Sequence, residues 1–215
     1  MLRQHKKYIL MTALITAAPL LVGLLLWSRL PAELATHFDF EGQPNGWSGR
    51  AFTVLGLPLL LTGLHLLCAL GTASDPKHRN IHGRIFRLVL WICPAVSWFA
   101  LGSIYLYALG LPVDIALLAQ VLLGVMFIVL GNYLPKCRQN HTVGIKLPWT
   151  LDDEENWNHT HRFAGWLWMA DGILFLAAAL LGALRPWMLG GLILLAVLAP
   201  AVYSYLYYKR HGEEK

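Results

Sequence analysis

A carboxylate, an indole and an imidazole share one helix face in the second half of the chain. Glu154, Trp157 and His161 are three and four residues apart, and this spacing stacks side chains along a helix. The row predicts a polar network facing neighbouring helices, or the acid–base pair Glu154/His161 of an intramembrane enzyme. The alternative is a belt of tryptophans at the membrane interface beside a solvated acidic first turn, formed by Trp149, Trp157, Trp166 and Trp168.

Two further ionisable side chains lie within long apolar segments. An acid inside a membrane is costly and indicates function by default, so Asp171 is a candidate functional residue together with His65. A lone carboxylate in a low dielectric neutralises unless it has partners. We expect Asp171 to be hydrogen-bonded by His65 or Asn132, which are predicted at matching depths. A pair of Asp171 and His65 is also what a proton-coupled transporter of small molecules or lipids would use.

The composition indicates the elements that must position these groups. The 215 residues are 57% hydrophobic and 13% charged, whereas a soluble domain carries about 25% charged residues. A membrane-spanning helix needs roughly 20 apolar residues. The sequence therefore predicts an all-α integral membrane protein with six transmembrane helices, approximately Tyr8–Ser28, Ala51–Gly71, Ile85–Leu109, Pro112–Leu134, Phe163–Leu184 and Pro186–Tyr208.

The distribution of positive charge predicts the orientation of the spans. With both termini in the cytosol, only Arg29, Arg50 and Arg185 of the 17 Lys and Arg residues lie outside. This bias follows the positive-inside rule and predicts an N-in, C-in topology. The net charge of +5 then reflects this topology and the anionic lipid of the inner leaflet. No basic cluster interleaved with aromatic residues indicates direct binding of nucleic acid.

Two loops divide the chain into predicted functional parts. Residues 1–71 form a two-span unit with an extracellular loop at 29–50, and residues 72–215 form a four-span unit with a cytosolic motif at 131–166. In the extracellular loop, a Gly and Pro turn follows a segment able to extend. Its aromatic and turn content predicts an ordered loop that senses a ligand through His37, Phe38, Asp39, Gly42, Pro44 and Trp47.

Breaks in the cytosolic motif predict an irregular but ordered segment. Pro135 ends the fourth span because proline cannot continue the hydrogen-bond ladder, and Gly144 and Pro148 keep the following residues irregular. Thr150 is expected to cap a helix with acids in its first turn. We expect the segment to fold back against the cytosolic mouth of the bundle, with Trp149 and Trp157 wedged between helix ends above Glu154 and His161.

The motif run GNYLPK…N…VGIK.PWTL..E..W..THR..G resembles the signature of the SdpI-like membrane protein family. The loop run LP…..THFDFEGQPNGW resembles the uncharacterised N-terminal domain that often accompanies it. Where the family more usually has arginine, this chain has Lys146, which keeps the charge but loses the planar fork. The other matching positions are Gly131, Asn132, Asn140, Gly144, Pro148, Trp149, Thr150, Leu151, Glu154, Trp157, Thr160, His161, Arg162 and Gly165.

The resemblance implies a multi-pass protein of the bacterial cytoplasmic membrane with an immunity role. The member that gives the family its name protects a cell from a secreted toxic peptide that acts on membranes. In that system the toxin-bound membrane protein also holds a cytosolic transcriptional repressor at the membrane. The resemblance therefore implies two partners beyond the lipid bilayer, a secreted toxic peptide and a cytosolic repressor, and leaves the oligomeric state open.

Three classes of function remain from the residues, and the leading one is a receptor or immunity protein without enzymatic activity. The transporter using Asp171 and His65 and the intramembrane enzyme using Glu154 and His161 are the alternatives. His78 and His82 have a spacing that binds metal on a helix, but Asp75-Pro76 predicts a turn and no third ligand is specified. No metal or other cofactor is therefore predicted.

Overall fold

The described chain, residues 1–211 of a computed structural model, contains eight α-helices and one two-stranded sheet. Six stretches of it are long and apolar enough to cross a membrane, which confirms the predicted all-α membrane class. Lys215, which the charge count included, lies outside the described residues. The elements are α1 (Leu2–Ala17), α2 (Pro19–Leu25), β1 (Glu33–Phe38), β2 (Pro44–Gly49), α3 (Leu57–Ala73), α4 (Gly83–Ala108), α5 (Ile115–Tyr133), α6 (Pro148–Asp152), α7 (Glu154–Leu180) and α8 (Pro186–His211).

Contacts within the chain define two compact units, residues 1–74 with 86–116 and residues 75–85 with 117 onward. The functional division into 1–71 and 72–215 stays a prediction. In the first unit, polar side chains join the spans. The hydroxyl of Thr12 on α1 lies 3.0 Å from Nε2 of His65 on α3, and the hydroxyl of Ser97 on α4 donates to the Thr16 carbonyl at 2.7 Å.

A β-hairpin between α2 and α3 belongs to the first unit. β1 and β2 are antiparallel, with Leu34 opposite Ser48 and a register shift after Ala35. Leu34 is buried in a core with other apolar side chains. The guanidinium of Arg50 donates to the carbonyls of Trp27 and Leu30, both at 2.9 Å. The hairpin is therefore held at its base by hydrogen bonds and along β1 by burial.

The second unit contains α5 to α8, and glycines let α5 and α7 approach closely. A Cβ placed on Gly131 would lie 2.8 Å from the carbonyl oxygen of Gly165, and the reverse distance is also 2.8 Å. Gly124, seven residues before Gly131 on α5, and Gly172, seven residues after Gly165 on α7, approach each other in the same way. Small residues that permit backbone contact are the usual means of packing helices in lipid. This packing fixes the helices on which the motif segment folds.

Candidate functional site

The segment between α5 and α6 is irregular and held by its own side chains. Asn140 is buried, and its amide nitrogen donates to the carbonyls of Arg138 and Val143 at 2.8 and 2.9 Å. Its amide oxygen accepts the N–H groups of Thr142 and Val143 at 2.9 and 2.6 Å. These four bonds use the full capacity of the amide, so Asn140 sets the shape of this turn.

Gly144 makes a close contact beneath the turn possible. Its φ of +124° is unfavourable for residues with a Cβ. A Cβ here would also lie 2.4 Å from Nε2 of His161 and 2.9 Å from the Trp157 ring. The predicted turn at Gly144 is confirmed, and packing against the α7 side chains explains why no larger residue fits.

Trp157 and His161 form the buried centre of the site. Their rings stack with centroids 4.0 Å apart, and the Trp157 indole donates to the Cys137 carbonyl at 2.8 Å. The N–H of Ile145 donates to Nε2 of His161 at 2.9 Å, so Nε2 must be the unprotonated nitrogen. Nδ1 then carries the proton and donates to the Trp157 carbonyl at 2.8 Å. His161 is a neutral imidazole with both nitrogens engaged.

The start of α7 differs from the sequence prediction. Thr150 lies inside the short helix α6, where its hydroxyl accepts the Leu147 N–H at 2.9 Å and contacts the Ile145 carbonyl at 2.9 Å. The N-cap of α7 is Asp153, whose carboxylate accepts the Glu155 N–H at 2.9 Å. The expected capping of α7 by Thr150 is therefore wrong, because an extended Asp153 separates α6 from α7 and caps the second helix itself.

The tryptophans and the acid of the predicted face lie in different environments. Trp157 is fully buried, Trp166 is 73% exposed, and Trp149 is half-buried with its ring 5.4 Å from that of Tyr205 on α8. Trp157 therefore does not belong to an interfacial belt. Glu154 is exposed, so its predicted place in the buried network beside His161 is wrong. Glu154 is the first residue of α7, and its side chain is exposed there.

The remaining motif residues lie at the edge of the segment. Pro148 opens α6 and is exposed, as is Arg162 on α7. Lys146 is exposed, and its ammonium group donates to the Thr142 carbonyl at 3.1 Å. Asn132 is also exposed and accepts a hydrogen bond from Lys136 at 3.0 Å. In residues 1–211, no group of three or more His, Cys, Asp or Glu side chains is arranged to hold a metal ion.

A second loop, residues 75–80, is bound to the motif segment through Asp75. The N–H of His141 donates to Oδ2 of Asp75 at 2.8 Å, and the Thr142 hydroxyl donates to the same oxygen. The Lys77 N–H donates to Oδ1 at 2.7 Å. Asp75 is 3% exposed, so a buried carboxylate joins two segments that are more than 60 residues apart. Together with the contacts of Gln139, these contacts link the two segments, and we call this link the clasp.

Gln139 forms the other half of the clasp. Its amide nitrogen donates to the carbonyls of Thr150 and Leu151 at 2.9 and 2.8 Å, and its amide oxygen accepts the Lys77 ammonium group. The Asn80 side chain donates to the Gln139 carbonyl at 2.8 Å. Sequence reasoning missed both Asp75 and Gln139. Asp75-Pro76 indicated only a local turn, and no local signal marked Gln139.

The electrostatics of the clasp favour a charged Asp75. Burial raises the pKa of this carboxyl, but hydrogen bonds from Thr142, Lys77 and His141 outweigh burial and lower the pKa below the ordinary value. Nearby, burial raises the pKa of the Cys137 thiol to about 11. The segment therefore contains a stable carboxylate and an unreactive thiol, and its polar groups serve to hold its shape.

A buried polar bridge joins α7 to α8 behind the segment. The Asn156 amide nitrogen donates to the Ser204 carbonyl at 3.0 Å, and its oxygen accepts the hydroxyls of Thr160 and Ser204 at 2.9 and 2.8 Å. All three side chains are fully buried. Sequence reasoning missed Asn156 and Ser204 because a single polar residue in an apolar helix does not indicate its partner.

The two ionisable residues of the spans are both buried, each within its own unit. In the first unit, Nε2 of His65 contacts Thr12 and Nδ1 has no hydrogen-bond partner among residues 1–211. In the second unit, Asp171 is 3% exposed and its Oδ2 has no hydrogen-bond partner in the same described range. The expected hydrogen bond from His65 to Asp171 is therefore not formed, because Nε2 of His65 contacts Thr12 and its Nδ1 has no partner among residues 1–211. Asn132 bonds to Lys136 instead.

The six residues predicted to sense a ligand lie together in the hairpin. His37 is hydrogen-bonded to Asn45, Asp39 accepts the Gln43 N–H at 2.7 Å, and the Phe38 ring meets that of Tyr107 edge-on at 5.3 Å. Gly42 closes the turn with a φ of +78°, Pro44 begins β2, and Trp47 is 57% exposed. The loop forms a two-stranded hairpin, and its sensing role stays a prediction.

These features define a multi-pass membrane protein with a hairpin after the first span and a clasped motif before the fifth. Residues 136–205 match the SdpI/YfhL protein family, and residues 14–62 match a domain of unknown function, DUF1648. These matches confirm the predicted resemblance. The chain is 24% identical over 206 residues, 94% of its own length and 96% of the relative, to the Immunity protein SdpI of Bacillus subtilis strain 168. No solved structure matches the chain significantly.

Proposed function

We propose that this protein protects its own cell from a secreted toxic peptide that acts on the membrane. The observation that carries the proposal is the similarity to an immunity protein across 94% of the chain. That range includes both polar regions, the hairpin at Glu33–Gly49 and the motif segment with its clasp. Similarity confined to the apolar spans would support only a membrane location.

The proposed mechanism assigns different tasks to the two polar regions. With both termini in the cytosol, the hairpin faces the outside and meets the peptide, and the clasped segment faces the cytosol. The exposed ring of Trp47 offers a contact surface on the hairpin. On the cytosolic side, the exposed side chains of Arg138, His141 and Lys146 offer a surface to a transcriptional repressor. Sensing outside and signalling inside are separate parts of the proposal.

The test compares a deletion strain with strains that express the protein or a variant without Phe38–Trp47. Each strain is challenged with a panel of purified membrane-active peptides, and membrane insertion is checked by fractionation. We expect the full chain to raise the inhibitory concentration of at least one peptide, and the shortened hairpin to lose this effect while remaining in the membrane. Equal sensitivity of the deletion and expressing strains to every peptide would refute the immunity proposal.

A transporter remains the second candidate because of one observation, the buried Oδ2 of Asp171 without a hydrogen-bond partner in the described chain. A carboxyl group in this state suits proton exchange with a carried substrate. In liposomes that contain the purified protein, an applied proton gradient together with substrate should then drive a flux of protons that acidifies the lumen. The Asp171→Asn variant should stop this proton flux. Flux that is independent of pH, or unchanged in Asp171→Asn, contradicts this second candidate. The enzyme alternative gains no such support, because Glu154 is exposed and both nitrogens of His161 are engaged.

A further inference from the structure

One strand of the hairpin has a free edge. β1 is covered by its unit, since Leu34 and Ala35 are 1% and 5% exposed. β2 has no buried residue, and exposed positions alternate with half-buried ones along its whole length. The sheet has only these two strands in the described chain. The outer side of β2 is therefore the edge at which another strand has access.

The hydrogen-bonding groups on that edge follow from the register. The Arg50 N–H donates to the Ala32 carbonyl at 2.8 Å, so these residues form a hydrogen-bonded pair. Such pairs alternate along an antiparallel ladder, so the pair of Leu34 and Ser48 also bonds inward. The N–H groups of Trp47 and Gly49 then point outward. The Gly49 carbonyl accepts the Thr53 hydroxyl at 3.2 Å, whereas its N–H faces the open edge.

β2 has few of the features that normally block pairing with another strand. Proteins protect open edges with lysines, prolines or bulges. β2 has one proline, at its first residue, and one irregularity next to it, because Gly46 pairs with His37 and Pro44 with Phe38, which leaves Asn45 without an opposite residue. The pairing from Trp47 to Gly49 is regular. Small residues at Gly46, Ser48 and Gly49 leave the backbone accessible, and a Cβ at Gly49 would meet no atom within 4 Å. Trp47 is the large exposed side chain beside them.

The charge of the hairpin indicates what kind of strand fits. Glu33, Asp39 and Glu41 are exposed, and residues 30–49 contain no Lys or Arg. Arg29 and Arg50 flank this range, and the guanidinium of Arg50 is bonded to the carbonyls of Trp27 and Leu30. A cationic segment is attracted to this surface, whereas a second copy of the acidic hairpin is repelled. Adding a strand to a sheet edge uses main-chain hydrogen bonds for affinity and alternate side chains for specificity. The edge and the charge thus describe an extended, positively charged peptide.

We propose that the free edge of β2 binds an extended cationic peptide segment as a third strand. Its backbone bonds to the outward groups of Trp47 and Gly49, its apolar side chains contact the Trp47 ring, and its positive charges face the hairpin carboxylates. That the natural ligand is the toxic peptide rests on the proposed immunity function. The proposed binding of a cationic strand at the edge does not rest on that function, so the binding and the immunity function are tested separately.

The binding test uses full-length protein in detergent and a fluorescein-labelled octapeptide of alternating Lys and Val, followed by fluorescence anisotropy. Gly49→Pro removes one outward N–H from an edge position that tolerates proline, and Gly49→Ala keeps it. We expect Gly49→Pro to weaken binding at least about tenfold and Gly49→Ala to bind as wild type. A Lys-Val peptide with alternate N-methyl groups and a Glu-Val peptide should both fail to bind wild-type protein.

Three outcomes of the peptide-binding test overturn the edge proposal. The first is equal binding of the N-methylated and unmodified peptides to wild-type protein, which would mean that charge alone drives binding. The second is that the Lys-Val peptide does not bind at all. The third is that the Gly49→Pro variant folds and binds the Lys-Val peptide as tightly as wild-type protein does. The N-methylated peptide keeps the test valid even if Gly49→Pro does not fold. A fall in molecular mass on Gly49→Pro, measured by light scattering, identifies a second copy as the occupant and also overturns it.

The protection assay distinguishes failure of the edge from failure of the immunity function. Cells expressing Gly49→Pro should lose protection, and cells expressing Gly49→Ala should keep it. If Gly49→Pro protects fully while deletion of Phe38–Trp47 does not, the immunity function stands and the edge proposal is wrong. If wild-type protein protects against no peptide but binds the Lys-Val probe through the edge, the immunity function is wrong and the edge chemistry stands.

Discussion

Replacing Asp75 by asparagine should release the clasp while leaving the bundle intact. The carboxylate accepts three donors, from Lys77, His141 and Thr142. Asparagine keeps one acceptor oxygen, so at least one donor loses its partner and the others lose a charged one. A hydrogen bond to a charged group contributes about 1.5–3 kcal/mol, so we expect the clasp to weaken by about 2 kcal/mol. This corresponds to about a thirtyfold increase in local opening.

Hydrogen–deuterium exchange in detergent measures this opening directly. Peptides covering residues 137–147 should lose protection in Asp75→Asn, since the His141 amide is bonded to the replaced carboxylate. Peptides from the α7 and α8 spans should exchange as in wild type. Asp152→Asn is the matched control, because Asp152 is exposed and carries the same change of charge. Unchanged protection of 137–147 in Asp75→Asn would refute the role of the carboxylate as the link.

Three further predictions concern the same segment. Gly144→Ala should lower the free energy of unfolding by about 2 kcal/mol or more, because positive φ and overpacking both add strain, and thermal melting in detergent measures this. The hydrogen bonds that lower the pKa of Asp75 stabilise the clasp fully above the unfolded value of about 3.9. Protection of 137–147 should therefore persist at mildly acidic pH and fall as the pH drops through the lower folded pKa. The Cys137 thiol, with a pKa of about 11, should react slowly with maleimide at pH 8.

Each of these predictions has a control or an outcome that contradicts it. Gly49→Ala places the same methyl group in open space and should melt as wild type, and a similar melting point for Gly144→Ala contradicts the packing argument. Loss of protection already near pH 6 contradicts an Asp75 pKa below the ordinary value. Cys137 should react after denaturation in detergent, and rapid labelling of folded protein contradicts its burial.

Much of the architecture was predictable because it depends on local composition. Six spans follow from apolar segments of sufficient length, and the hairpin turn follows from Gly42, Pro44 and Gly46. The importance of Gly144 was also predictable, because glycine between other breaks indicates backbone that other residues avoid. Glu154 was misplaced because helical spacing groups residues on a face but does not say where the helix begins. Asp153 caps α7, and Glu154 points outward.

The sequence by itself determined the membrane class, the family resemblance and the two polar regions, because each depends on residue types at short spacing. Only the tertiary structure decided which distant groups meet. Asp75 joins His141 and Thr142 across more than 60 residues, and Asn156 joins Ser204 across 48. A buried polar atom needs a partner, but the sequence does not name it, because contacts between distant segments are set by helix packing. The same holds for the β2 edge, whose free N–H groups follow from register and burial.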